Sequence, residues 1–109
     1  MNIIFCGIRD DVQILSKEIG ERHYYGGEFI ENSNTEISIK KLIRAISRND
    51  TLIVDLDFID TTTAILFALA EEHNLEIIGY YHEEEPQNTR YSAICDVILH
   101  IDDVIDYID

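Results

Sequence analysis

Residues Thr51–Asn88, TLIVDLDFIDTTTAILFALAEEHNLEIIGYYHEEEPQN, carry the pattern that decides the fold. Thr51–Leu56 is a short aliphatic run interrupted by Asp55, the signature of a strand buried on both faces. An acidic turn follows, and Thr61–Thr63 can start a helix over Ala64–His73 that Asn74 closes. Ala64–Ala70 is apolar without interruption. A helix lacking a polar face over two turns is buried on more than one side or packs on a partner subunit. The expectation is therefore a homodimer through this helix. Ile77–Tyr81 reads as the next strand, and Glu83–Pro86 as a loop, because Pro86 cannot join a ladder.

The same alternation extends outward. Ile3–Ile8 is an apolar run broken by Gly7, and Asp10 or Asp11 can cap the helix after it, whose stripe is Val12, Leu15 and Ile19. Gly20 or the Gly26-Gly27 pair ends that unit. Glu28–Glu31 reads as a short edge strand and Asn32–Asn34 as a turn. Ile39, Leu42, Ile43 and Ile46 then fall on one helical face. Beyond the central stretch, Tyr91–Ala93 reads as a short helix or turn, Val97–Leu99 as a strand and Asp102–Asp109 as an acidic helix. Strands alternating with helices predict one α/β domain over residues 1–109, a three-layer flavodoxin- or Rossmann-like parallel sheet with helices on both faces.

Composition narrows the function. The net charge is −14. Residues 1–48 hold seven basic and seven acidic side chains, whereas residues 49–109 hold fifteen acidic ones against Arg90 alone. Such a surface repels nucleic acid and anionic lipid but suits a basic protein partner or a cation. No apolar run reaches the roughly 18 residues of a membrane span, and the N-terminus lacks a signal-peptide pattern, so a cytoplasmic protein is expected. Cys6 and Cys95 lie in or beside apolar runs without metal spacing and read as free thiols.

In an open parallel sheet, ligands bind beyond the carboxyl ends of the strands. Three segments meet there: Gly7–Asp10, Asp55–Thr63 and His82–Asn88. Gly7 lets backbone approach a ligand, and Arg9 is the only cation in the three segments able to contact a phosphate. Asp55 and Asp57 share a face by strand alternation, and two close carboxylates suit Mg²⁺ or acid–base work. Asp57 and Asp60 are the catalytic candidates, although a DxD pattern can equally cap the next helix. His82 follows a strand beside Glu83–Glu85, whose charge would raise its pKa. Asn88 can bond a ribose hydroxyl or stabilise its turn. No cofactor motif is present, and a hard divalent cation such as Mg²⁺ is the cofactor the pattern allows for, at Asp55 and Asp57.

Several of these patterns resemble the nucleoside 2-deoxyribosyltransferases and the related deoxynucleotide N-glycosidases. FCGIRDD is similar to their strand–Gly–Ser–Ile–Arg loop, with Ile8-Arg9 retained. DTTTAILFALA, Asp60–Ala70, is similar to their acidic residue followed by small residues, a Glu and Gly-Tyr-Ala. The resemblance implies a nucleoside or nucleotide ligand, with Asp60 as the substrate-binding Asp and Asn88 as the Asn donated across a dimer interface. The expected pocket is Gly7, Arg9, Asp57, Asp60 and Asn88, and Asp55 and His82 are ligand-binding candidates from their strand-end positions. Their mechanism has a carboxylate attack the anomeric carbon. Leu66 stands at the nucleophile's position and has no lone pair to offer, so glycosyl transfer is not expected at family-like rates.

The same layout also resembles the receiver domains of two-component signalling. Those place an acidic pair after strand one and a phosphoacceptor Asp after strand three, roles that Asp10-Asp11 and Asp55 match. The fourth strand ends Tyr80-Tyr81-His82 with no Ser or Thr, and the last ends Leu99-His100-Ile101 with no Lys. The implication is an atypical receiver working through protein contacts. A third reading, from charge alone, is an acidic decoy that occupies a basic surface.

Overall fold

The computed structural model describes residues 2–21, 26–32, 34, 36–84 and 89–108. It contains five strands, β1 (Asn2–Gly7), β2 (Gly26–Glu31), β3 (Thr51–Asp55), β4 (Glu76–Tyr81) and β5 (Val97–His100). The helices are α1 (Arg9–Glu21), α2 (Ile39–Arg48), α3 (Thr61–Glu72), α4 (Thr89–Ser92) and α5 (Val104–Ile108), the last entered through a 3₁₀ turn at Ile101–Asp103. All strand pairs are parallel, in the order β2-β1-β3-β4-β5. This is the flavodoxin-like doubly wound order, and its direction reverses between β1 and β3.

Strand alternation sorts the core into two layers. Ile4, Cys6, Leu52, Val54 and Ile77 pack against Leu42, Ala45 and Ile46 of α2 and Leu66, Phe67 and Ala70 of α3. Ile3, Phe5, Ile53, Ile78 and Tyr80 pack on the opposite face against Leu15 and Ile19 of α1 and Val104 and Ile108 of α5. The expected three-layer architecture is thus the observed one, with β2 on an edge. The apolar run of α3 is accounted for inside the domain: Leu66, Phe67 and Ala70 are buried, and Ile65 and Leu69 pack against the same core. Neither Asp10 nor Asp11 is a cap. Both sit in the first turn of α1, where a carboxylate is favoured by the helix dipole. Both cysteines are free. Burial pushes the Cys6 thiol up to about 12, leaving it inert.

Candidate functional site

The carboxyl ends of β1, β3 and β4 bring together a cluster that no local stretch of sequence contains. It begins at Gly7. A Cβ there would collide with the Tyr80 hydroxyl, so only glycine leaves room for that side chain. Tyr80 stacks on Phe5 with ring centroids 5.4 Å apart, and its hydroxyl donates to Asp11 Oδ2 at 2.9 Å. Asp11 is thereby turned inward from the first turn of α1 and buried, while Asp10 beside it is exposed.

Asp55 ends β3 with no exposed surface. Its Oδ1 accepts the Asp57 backbone N–H at 2.8 Å, closing an Asx turn, and its Oδ2 is buried without a hydrogen-bond partner. Burial pushes this carboxyl up to about 6, against the pull of the Asp57 N–H and the His82 ring. Asp57 lies beyond the strand and reaches the cluster through that turn. Its Oδ2 accepts both the backbone N–H of His82, at 2.8 Å, and the Nδ1 of the same residue, at 2.7 Å. Its Oδ1 is buried and unpartnered.

His82 closes the cluster. Its Nε2 is 2.7 Å from Asp11 Oδ2, and its Nδ1 is 3.9 Å from Asp55 Oδ1. An imidazole with a carboxylate at each nitrogen satisfies both only as the two-donor cation. Burial lowers the His82 pKa, but the hydrogen bonds to Asp57 and Asp11 outweigh it, and the net shift is upward. The direction is the one expected from sequence, but the cause differs. Hydrogen bonds to Asp57 and Asp11 raise the pKa, while Glu83 and Glu84 are exposed and Glu85 lies outside the described residues. On its other side, the His82 carbonyl accepts from His100 Nε2 at 2.9 Å, and the His100 ring meets Tyr81 edge-on at 5.5 Å. Ligand atoms of Asp11, Asp55 and His82 lie within 4.8 Å of one another. That spacing, with two orphaned carboxylate oxygens, suits a divalent cation. The residues placed to share a cation with Asp55 would thus be Asp11 and His82, whereas the Asp57 Oδ2 is turned toward the imidazole.

The other expected site residues lie apart. Asp60 caps α3, its Oδ1 accepting from Thr63 N at 3.0 Å and Thr63 Oγ1 at 2.9 Å. With Ile8, Asn32, Asp57, Phe58 and Ile59 it also lines a shallow cleft of about 530 Å³ at the β1/β3 reversal. Arg9 is exposed, its Nε 3.4 Å from Glu31 Oε1. Asn88 lies outside the described residues. Leu66 is fully buried in the α2–α3 layer. Sequence reasoning did not place Tyr80 or His100 in the site and gave Asp11 only a capping role or a place in the acidic pair. The pair Asp10-Asp11 after strand one was the available signal.

No protein-family model and no curated protein sequence matches the chain. Solved structures do. A putative pilus assembly-related protein from Burkholderia pseudomallei aligns with a TM-score of 0.63 and 13% identity, over 99% of this chain and 86% of that one. A conserved protein from Enterococcus faecalis gives 0.68 and 11%, over 97% and 95%. A response regulator receiver domain (CheY-like) from Methylobacillus flagellatus gives 0.61 and 10%, over 100% and 98%. At such identities the likeness is one of fold.

Proposed function

We propose that this chain is a receiver-like interaction domain that works through protein contacts, with the Asp11–Asp55–Asp57 cluster as its control point. The observation that carries the reading is the convergence of three carboxylates on His82 at the carboxyl ends of β1, β3 and β4. It occurs in a chain whose whole length superposes on a receiver domain. The departures from a phosphorylated receiver also favour contacts over chemistry. No Ser or Thr ends β4, no Lys ends β5, and the His82 ring already engages Asp11 and Asp57. The acidic half of the chain suits a basic partner surface. The nucleoside reading draws no support from the comparisons, and the position of its nucleophile is a core leucine.

The test is an amide NMR titration with two probes, a panel of deoxynucleosides and beryllofluoride with Mg²⁺. The reading expects flat responses to millimolar deoxynucleosides and no stable adduct at Asp55. Saturable nucleoside shifts along Gly7–Asp10 and Asp57–Thr63 would restore the deoxyribosyltransferase-like reading. A stable beryllofluoride adduct would make the domain a phosphorylated receiver instead.

A further inference from the structure

The donor set of the cluster differs from the all-oxygen set that a hard cation takes. Mg²⁺ favours carboxylates, waters and near-octahedral geometry, whereas imidazole nitrogen suits the borderline first-row metals. Here the imidazole is built in. His82 stands between Asp11 and Asp55, and Asp57 holds it by two hydrogen bonds, one to Nδ1 and one to the residue's own backbone N–H. A carboxylate that fixes one ring nitrogen and directs the other at a cation is the usual outer-shell arrangement of histidine metal ligands. Asp11 has such support too, from the Tyr80 hydroxyl.

Two further features point to a ligand. Among the described residues, Asp55 has a wholly buried side chain whose Oδ2 has no partner, and Asp57, nine-tenths buried, leaves Oδ1 without one. Buried carboxylate oxygens are rarely left unmatched. The His82 side chain is about one quarter exposed, which gives an ion a path from solvent.

We infer that this cluster binds a borderline divalent transition metal, of the Mn²⁺–Zn²⁺ class, in preference to Mg²⁺. The ligands are Asp11, Asp55 and the His82 imidazole, and Asp57 is the positioning residue. The ion replaces the Nε2 proton that bridges to Asp11, and that proton is released to solvent. That 2.7 Å gap must widen slightly to admit bonds of about 2.0–2.2 Å. The inference concerns the same cluster as the receiver-like reading but rests on donor chemistry alone, and the beryllofluoride and nucleoside titrations test that reading separately.

The experiment is calorimetric titration of the chelator-treated full chain with Mn²⁺, Zn²⁺ and Mg²⁺. Mn²⁺-induced broadening of amide resonances locates the site. Saturable Mn²⁺ and Zn²⁺ binding is expected, with broadening centred on Asp11, Asp55 and His82. His82→Gln, which keeps a polar side chain at this position, should weaken both by at least about tenfold without weakening Mg²⁺, since the change removes a nitrogen donor but keeps the carboxylates. Asp57→Asn should cost about 10–100-fold, as loss of an orienting partner does. Amide spectra of the metal-free variants establish that each is folded. Mg²⁺ binding as tight as Mn²⁺ and indifferent to His82→Gln would overturn the assignment, and so would no saturable binding of any of the three.

Discussion

At the scale of single residues, Asp55 and His82 hold opposite ends of one electrostatic compromise. Burial holds the Asp55 carboxyl well above its ordinary range, at about 6 against 3.8. Such a group binds protons more tightly when folded. Its neutral form is therefore the favourable one, and its contribution to stability is complete below about pH 3.8 and lost as pH rises through about 6. At ~1.4 kcal/mol per unit, the ionised group costs up to about 3 kcal/mol. Asp55→Asn keeps the acceptor for the Asp57 N–H and removes the charge. It should be more stable than the natural chain by about 1–3 kcal/mol at pH 7.5, with the difference closing toward pH 4, read from urea unfolding at several pH values. Asp55 and His82 could be singled out in the sequence because each follows an apolar run at a strand end. Tyr80 could not. Its hydroxyl reaches Asp11 across 69 residues, and a tyrosine in a strand looks like any core aromatic until β1 and β4 are placed in one sheet.

At the scale of elements, the strands and helices were largely legible because their periods are strong. The buried run of β3 appears where the pattern puts it, and of the expected α2 stripe Leu42 and Ile46 are buried while Ile39 and Ile43 are exposed, Ala45 taking the buried face instead. Boundaries moved where capping chemistry decided them. Helix α3 opens at Thr61 because the Asp60 carboxylate accepts the Thr63 N–H, so a residue read as catalytic is a cap. The uninterrupted apolar face of α3 has a packing cause, since the helix packs on the sheet beside α2 with Leu66 fully buried in that layer. This makes restoration of a nucleophile at that position self-defeating. Leu66→Glu would bury an unpaired carboxylate and lose a well-packed side chain. It should destabilise the domain by at least about 3 kcal/mol, seen as a lower urea midpoint, and confer no deoxyribosyl transfer. Wild-type-like stability in that variant would show that α3 does not sit as described.

At the scale of the whole molecule, the parallel sheet delivers three strand ends to one edge, and a chain with no recognisable phosphate loop still builds a concentrated charged cluster there. The cluster connects outward through His82, whose carbonyl takes the His100 N–H at the end of β5 while Tyr81 packs edge-on to the same ring. Under the proposed contact-driven reading, that connection would tie the acidic cluster to the sheet edge at β5. The most direct test is a comparison of amide NMR spectra of the natural chain and His82→Ala under identical conditions. Chemical-shift changes that run from Asp11, Asp55 and Asp57 through Tyr81 into Val97–His100 are the predicted result. Changes confined to the three aspartates and their immediate neighbours, with β5 unmoved, would contradict a control point at this cluster.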